Sequence, residues 1–234
     1  MFMSDPLGQA LHDFHFKKKN LPVHNWINGE EEPLIYPSDF FREKDTMNDI
    51  ELCALKECKG VVLDVGAGAG CHSYELQNQG FQVTSLELSS LSCEVLRDRG
   101  LKEVFCENIM HFQDRKYDTI LLLMNGFGIA RTENDVPNFL CHLKTLLQPG
   151  GCILGESTDI FYMMERRNGA SELDLAKGYY GEVEFSLRYG NEEEKFPWIY
   201  LDEFLLEAIA GEVGLKFSIL ERGDRYNFLC KLEI

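Results

Sequence analysis

Asp64 to Gly70 read D-V-G-A-G-A-G, with three glycines at alternate positions directly behind the apolar run Val61-Val62-Leu63. Residues without a Cβ let a chain turn sharply and let a ligand lie against the main chain. A helix starting just afterwards, near Cys71, offers free N–H groups at the same place. The Asp64 carboxylate, two residues before the first glycine, suits a ligand with a positive ammonium group and sits badly beside a pyrophosphate. The chemistry expected here is close recognition of a small, positively charged ligand.

Two ligand classes use such a turn, dinucleotides and S-adenosylmethionine, and spacing separates them. The dinucleotide pattern is G-x-G-x-x-G/A. Begun at Gly66, its third glycine falls on Cys71; begun at Gly68, it falls on Ser73. Neither fits.

The elements that must position this turn alternate. Strands are expected over 61–65, 81–88, 103–107, 117–124 and 152–155, and helices over 47–58, 71–79, 90–99 and 132–147. Strands apolar on both faces, joined through helices, form a parallel sheet covered on both sides. Right-handed crossovers then give a doubly wound, Rossmann-like α/β fold. Beyond residue 157 the pattern changes. The stretch 161–178 has no clear period and reads as an irregular or lid-like segment. A strand is expected over 179–189, an acidic loop over 190–195, a helix over 201–213, and strands over 216–221 and 227–234. The last two make a C-terminal antiparallel hairpin, so the sheet is mostly parallel and seven-stranded, with an extra strand inserted after strand five. Residues 1–59 read as irregular to helical, and 20–39, with three prolines and Glu30-Glu31-Glu32, as a long surface connection. The division expected is an N-terminal arm or cap, 1–46, and one domain, 47–234, with an insertion at about 160–200.

The 234 residues carry a net charge of −16, which repels polyanions and argues against nucleic acid as substrate or partner. The single basic cluster, Lys17-Lys18-Lys19, is short. No stretch reaches the apolar length of a membrane span, and the start lacks the basic-then-apolar order of a secretory leader. The eight cysteines form no CxxC pair and mostly lie in apolar runs, as expected of buried free thiols in a reducing cytoplasm. No ligand cluster points to a metal.

The motif Asp64-x-Gly66-x-Gly68-x-Gly70 resembles that of the class I S-adenosylmethionine-dependent methyltransferases. Element order extends the resemblance over about 47–234, and the motifs lie within 61–157. The stretches VLDVGAGAGCHS, KYDTILLLMNGFGI and YYGEVEFSLRY are similar to a bacterial methyltransferase-domain subgroup of this size. The resemblance implies S-adenosyl-L-methionine as cofactor and S-adenosyl-L-homocysteine as product. It implies that Asp64, Gly66, Ala67, Gly68 and Gly70 wrap the methionine and ribose. It also implies an acid after the second strand that holds both ribose hydroxyls; Glu87, 17 residues after Gly70, fills that position, with Leu88 flanking the adenine. A carboxylate has two acceptor oxygens for two vicinal hydroxyls. The family's Asp near the third strand's end is replaced by Asn108, with Glu107 one residue away as the alternative, and Ile109 follows against the adenine. Some small-molecule members use an arginine from the N-terminal region to grip the cofactor's carboxylate, and the resemblance implies Arg42 for that role, with a surface ion pair to Glu43 or Asp45 as the alternative.

Asn125 closes the strand next to the glycine turn, at the switch point where ligands sit, and is expected beneath the transferred methyl. Asp159 follows the fifth strand and is expected as base or ammonium anchor, with a helix cap as its alternative role. Tyr162, Tyr179 and Tyr180 are expected to wall the acceptor pocket or to pack in the core. Asp118 reads as a strand-start residue and His72 as a polar helix-start residue. The leading functional expectation is methyl transfer to a small molecule. A protein acceptor, or a cofactor-binding module without catalysis, is the alternative.

Overall fold

The chain opens with helix α1 (Pro6–Lys17), whose N-cap Asp5 accepts from the Gly8 N–H. This computed structural model describes residues 4–163 and 178–234. A hairpin follows, β1 (Val23–Ile27) and β2 (Glu30–Ile35), turned by Asn28-Gly29 at φ 52° and 81°. Two consecutive positive φ values match the strand twist a two-residue hairpin turn requires. The surface connection expected over 20–39 is thus largely sheet. Its prolines do not forbid this, because Pro33 lies on β2, an edge strand with one unpaired side.

Helix α2 (Asp49–Glu57) starts with a capping box between Asn48 and Glu51. There follow β3 (Val61–Val65), α3 (Cys71–Asn78), β4 (Gln82–Glu87), α4 (Ser90–Asp98), β5 (Glu103–Cys106) and β6 (Tyr117–Leu122). Helix α5 (Val136–Leu146) begins later than expected, behind a 3-10 turn over Glu133–Asp135. β7 (Leu147–Thr158) is longer than expected at both ends. β8 (Glu182–Tyr189) pairs with β9 (Glu192–Ile199), so the expected acidic loop is the start of a strand. Its glutamates sit on the outer edge of a sheet, where charge discourages pairing with another chain. Helix α6 (Glu203–Glu212) and the hairpin of β10 (Lys216–Arg222) with β11 (Asn227–Glu233) complete the described chain. The irregular segment expected over 161–178 lies mostly outside the described residues.

The main sheet has the order β10-β11-β7-β6-β3-β4-β5. Its five central-to-outer strands β7, β6, β3, β4 and β5 are parallel, and β11 and β10 are antiparallel. The doubly wound seven-stranded expectation holds. Successive residues alternate between two apolar layers. Leu63, Ile120 and Ile153 pack with Phe139, Leu143 and Leu206 on the α5–α6 side. Val62, Leu121 and Leu154 pack with Ile50, Leu55 and Leu76 on the α2–α3 side. Burial on both faces is why these strands lack a polar side.

A second, antiparallel sheet has the order β2-β1-β8-β9 and joins the N-terminal hairpin to the strands after β7. It is docked through α1, whose Ala10 packs with Leu187 and Tyr189 of β8, and through direct contacts of β8 and β9 with the segment after β6. Asp5 accepts from the Ser89 hydroxyl at 2.6 Å, tying α1 to α4, and Trp198 of β9 lies flat enough on Gly128 that a Cβ there would fall 1.9 Å from the indole. Of the eight free cysteines, Cys106 and Cys141 are exposed, which corrects the buried reading for those two; Cys141 faces outward from α5.

Candidate active site

The chain reverses after β3 through three left-handed glycines, Gly66 (φ 71°), Gly68 (58°) and Gly70 (82°). They serve different ends. A Cβ on Gly70 would meet Leu96 and Leu101 at 2.6 and 2.7 Å, so this glycine lets α4 pack. On Gly66 or Gly68 a Cβ would meet nothing closer than Ile129 at 3.4 Å or Phe40 at 3.5 Å. The main chain there is open to a ligand, and α3 begins without a side-chain cap. Arg99 holds the turn from behind: it donates to the Ala69 carbonyl and lies 4.9 Å from the Phe41 ring and 5.0 Å from the Tyr74 ring. Nothing in the sequence pointed to it, since Ala69 and Arg99 are 30 positions apart.

Asp64 is 2% exposed, accepts from the Ser73 hydroxyl at 2.6 Å, and is raised in pKa by burial. It ties β3 to α3 beneath the turn. Glu87 reaches across from β4, and its Oε2 accepts from the Gly68 N–H at 2.7 Å. Its Oε1 accepts from the Leu88 and Ser89 N–H groups at 2.8 and 2.9 Å. Burial raises the Glu87 carboxyl while these three N–H donors pull it down. The carboxylate is thus fixed in direction before any ligand arrives. Leu88 beside it is 63% exposed. Asn108 accepts from the Met110 N–H at 2.9 Å, closing a tight turn, while Ile109 is buried in the core and Glu107 is exposed.

At the end of β6, Met124 and Asn125 are both left-handed (φ 54° and 60°). Buried Glu156 fixes this pair by accepting from the Met124 N–H at 2.8 Å, and the Thr158 hydroxyl donates to Asn125 Oδ1 at 2.7 Å. Burial raises the Glu156 carboxyl. Asp159 Oδ1 accepts from the Phe161 N–H and the Tyr180 hydroxyl, each at 2.8 Å. Asp159 therefore caps the turn that follows it, at the carboxyl end of β7. Tyr179 donates to Asp202 at 2.7 Å. Burial, and the carboxylates facing them, push both tyrosines upward, so they remain protonated donors. Tyr162 stacks on Tyr226 with centroids 5.1 Å apart.

Arg42, expected at the cofactor's carboxylate, donates to Glu51 Oε1 at 2.5 Å and to the Asp39 carbonyl at 2.5 Å. His72 is buried and bonds the same Glu51 oxygen at 2.7 Å. Desolvation works against the charge on both partners. Contact with Cys71 and Glu51 nevertheless raises His72 to about 10, and His72, the Asn48 N–H and Arg42 lower Glu51 to about 2. His72 is thus more than a helix-start residue. Potential metal-ligand atoms of Glu51, Cys71 and His72 lie within 4.8 Å of one another. Two cations already occupy Glu51 Oε1 and the Asn48 N–H its other oxygen, so the group is an ion-pair network.

A methyltransferase-domain family model matches residues 62–151, the span from β3 through the turn into β7. The crystal structure of an S-adenosylmethionine-dependent methyltransferase from Bacteroides fragilis, in complex with S-adenosyl-L-homocysteine, is 35% identical. The alignment covers 98% of this chain and 94% of that one, with a TM-score of 0.88. The chain belongs to the S-adenosylmethionine-dependent methyltransferases. Its cofactor is S-adenosyl-L-methionine. A demethylmenaquinone methyltransferase of Tropheryma whipplei is 28% identical over 95 residues, 38% of each chain. A putative methyltransferase of Bacillus subtilis, YqeM, is 27% identical over 116 residues, 46% of each. The chain thus spans less than half the length of the curated relatives it matches. The methyltransferase's turn fits such a cofactor on its own geometry: open main chain over Gly66 and Gly68, a fixed carboxylate alongside, and an exposed apolar residue next to it. No helix among the described residues is long and apolar enough to cross a membrane.

Proposed function

We propose that this methyltransferase moves the methyl group to a small-molecule acceptor by in-line displacement, releasing S-adenosyl-L-homocysteine. Bound at the turn, the cofactor supplies a methyl carbon already activated by a sulfonium charge. The protein's work is then to hold the nucleophile in line and exclude water, and orientation of this kind reaches effective molarities of about 10⁵–10⁸ M. Gly66, Ala67, Gly68 and Gly70 wrap the methionine and ribose. Asp64 acts from below the turn toward the ammonium. Glu87 takes the ribose hydroxyls, and Leu88, Asn108 and Ile109 border the adenine. Arg42, held on Glu51 Oε1, reaches for the cofactor's carboxylate. Asn125 lies under the methyl, Asp159 anchors the acceptor or takes its proton, and Tyr162, Tyr179 and Tyr180 form the wall. Residues 1–46 act as a cap on the domain 47–234, which carries an insertion at about 160–200, and eight free thiols favour a cytoplasmic setting.

The observation that carries this reading is the Gly68 N–H bonded to Glu87 Oε2 at 2.7 Å, which sets a fixed carboxylate beside an open main chain. Calorimetric titration with S-adenosylmethionine and with NAD, on wild type and Glu87→Ala, tests it. Binding of S-adenosylmethionine alone, weakened at least about tenfold (about 1.4 kcal/mol) by the substitution, is the expected result. Equal binding by the variant, or binding of NAD in its place, overturns it.

A further inference from the structure

The turn that carries Glu87 and Leu88 is flanked by two thiols that methyl transfer does not use. Cys93 stands in the first turn of α4 and is fully buried, whereas Cys106 closes β5 and is exposed. The parallel register sets Cys106 directly beside Glu87. The Cys106 thiol donates to the Leu88 carbonyl at 3.7 Å. The Cys93 sulfur lies 3.6 Å from the Glu87 carbonyl oxygen and 3.9 Å from that of Phe105. The two thiols also contact each other. Two sulfur atoms thus meet at the carbonyls of consecutive residues, the ones given above to the ribose and the adenine.

Exposure separates this pair from another. Cys58 and Cys152 also lie near each other, but both are buried. Cys93 and Cys106 combine one buried thiol with one that solvent reaches. Burial first, and then the Cys106 neighbour, push the Cys93 thiol upward. Cys106 is therefore the thiol that an oxidant meets first, and Cys93 the one placed to react with it next. An accessible thiol beside a second, resolving thiol is the arrangement of redox-sensing cysteines. Disulfides of this transient kind are the ones a reducing compartment allows.

We propose that Cys93 and Cys106 form a reversible disulfide that lowers affinity for S-adenosylmethionine and makes the cofactor site sensitive to peroxide. This rests on the placing of Glu87 and Leu88 against the cofactor given above. The Cys106 thiolate attacks one peroxide oxygen, the O–O bond breaks and hydroxide leaves, so that Cys106 becomes a sulfenic acid. The Cys93 sulfur then attacks the Cys106 sulfur, the S–O bond breaks, and the departing hydroxide takes the Cys93 proton and leaves as water. The thiol pair gives up two electrons, and one peroxide becomes two waters. The new bond draws the sulfurs inside their non-bonded contact distance and removes both S–H groups from the carbonyls of Glu87 and Leu88. Glu87 is aimed by the Leu88 and Ser89 N–H groups, so a shift of this backbone re-aims its carboxylate. A dithiol reductant reverses the step.

The test treats the full chain with hydrogen peroxide, maps its disulfides by mass spectrometry after free thiols are blocked, and measures S-adenosylmethionine binding by calorimetry before and after. A Cys93–Cys106 disulfide is expected, with affinity lowered at least about tenfold and restored by dithiothreitol. Cys106→Ser, at an exposed position, should bind the cofactor as wild type does and keep that affinity through peroxide. Saturating S-adenosyl-L-homocysteine should favour the dithiol in a glutathione buffer, because the coupling between two equilibria is reciprocal. Oxidation that joins other thiols or none overturns the proposal. So does a disulfide that leaves affinity unchanged, or a Cys106→Ser chain that loses affinity in peroxide as wild type does. A reduced wild-type chain that binds no S-adenosylmethionine overturns the underlying site reading instead.

Discussion

Gly66 and Gly70 look equivalent in the motif, yet their surroundings separate them. Gly70→Ala would drive a Cβ to 2.6 Å from Leu96 and also strain φ 82°. Its cost should be on the order of 2–4 kcal/mol in urea unfolding. Gly66→Ala meets no atom nearer than 3.4 Å, so its stability cost should be nearer the roughly 1–2 kcal/mol of backbone strain alone, while S-adenosylmethionine affinity falls at least about tenfold. A Gly66→Ala chain that binds the cofactor normally would show that the ligand does not approach the main chain there. The Glu51–His72 pair makes a second prediction. His72 is raised from 6.5 to about 10, so its stabilisation is complete below pH 6.5 and is lost as pH rises through about 10. Glu51 is lowered from 4.5 to about 2, so its stabilisation is present above pH 4.5 and is lost as pH falls toward 2. Between pH 6.5 and 10 wild type should therefore lose up to about 1.4 kcal/mol per pH unit, a slope that His72→Gln removes. Parallel pH profiles for the two proteins in urea titrations would dismiss the imidazolium.

At the scale of elements, the short 3-10 turn Gly126–Ala130 links the two sheets. It starts at Asn125, leans Ile129 toward Gly66, and receives Trp198 of β9 on Gly128. Gly128→Ala puts a Cβ 1.9 Å from the indole, so β9 must shift or the turn must move. The expected result is a loss of about 1–3 kcal/mol with a red-shifted tryptophan emission, since Trp198 is one of only two tryptophans. Unchanged emission and stability would mean the contact is not maintained in solution. The strands and helices from β3 to α5 were legible because apolar residues recur at each element's own period, and Gly66, Gly80 and Gly100 stop β3, α3 and α4. The hairpin β1–β2 was not read, although Asn28-Gly29 is a strong turn signal. Pro33 and the run Glu30-Glu31-Glu32 oppose a strand on local propensity alone. Those residues are tolerated because β2 is an edge, and an edge is a property of the sheet that no local stretch reveals.

The whole molecule depends on a sheet assembled from distant parts of the chain. β1 pairs with β8 across some 160 positions, so the first 46 residues are more than an added arm. Deleting residues 1–46 leaves β8 with an open edge and removes Arg42 from Glu51. The shortened chain is expected to self-associate in sedimentation velocity and to lose cofactor affinity; a monomer that binds S-adenosylmethionine as the full chain does would contradict this. The net charge of −16 also acts at this scale: it repels polyanions such as nucleic acid, an effect that salt should weaken. Local periodicity and short spacing made the doubly wound sheet and the glycine turn legible from the chain alone, because a strand, a turn and the next helix follow one another there. The resemblance of that turn to the S-adenosylmethionine-dependent methyltransferases implied the cofactor and pointed to the acid at the end of β4. Folding alone brings Arg42 and His72 to one oxygen of Glu51, sets Arg99 behind the turn, and bonds the Asp159 N–H to the Tyr226 carbonyl. Those contacts join residues from separate elements, and chain folding, not spacing, sets which side chains face each other across them.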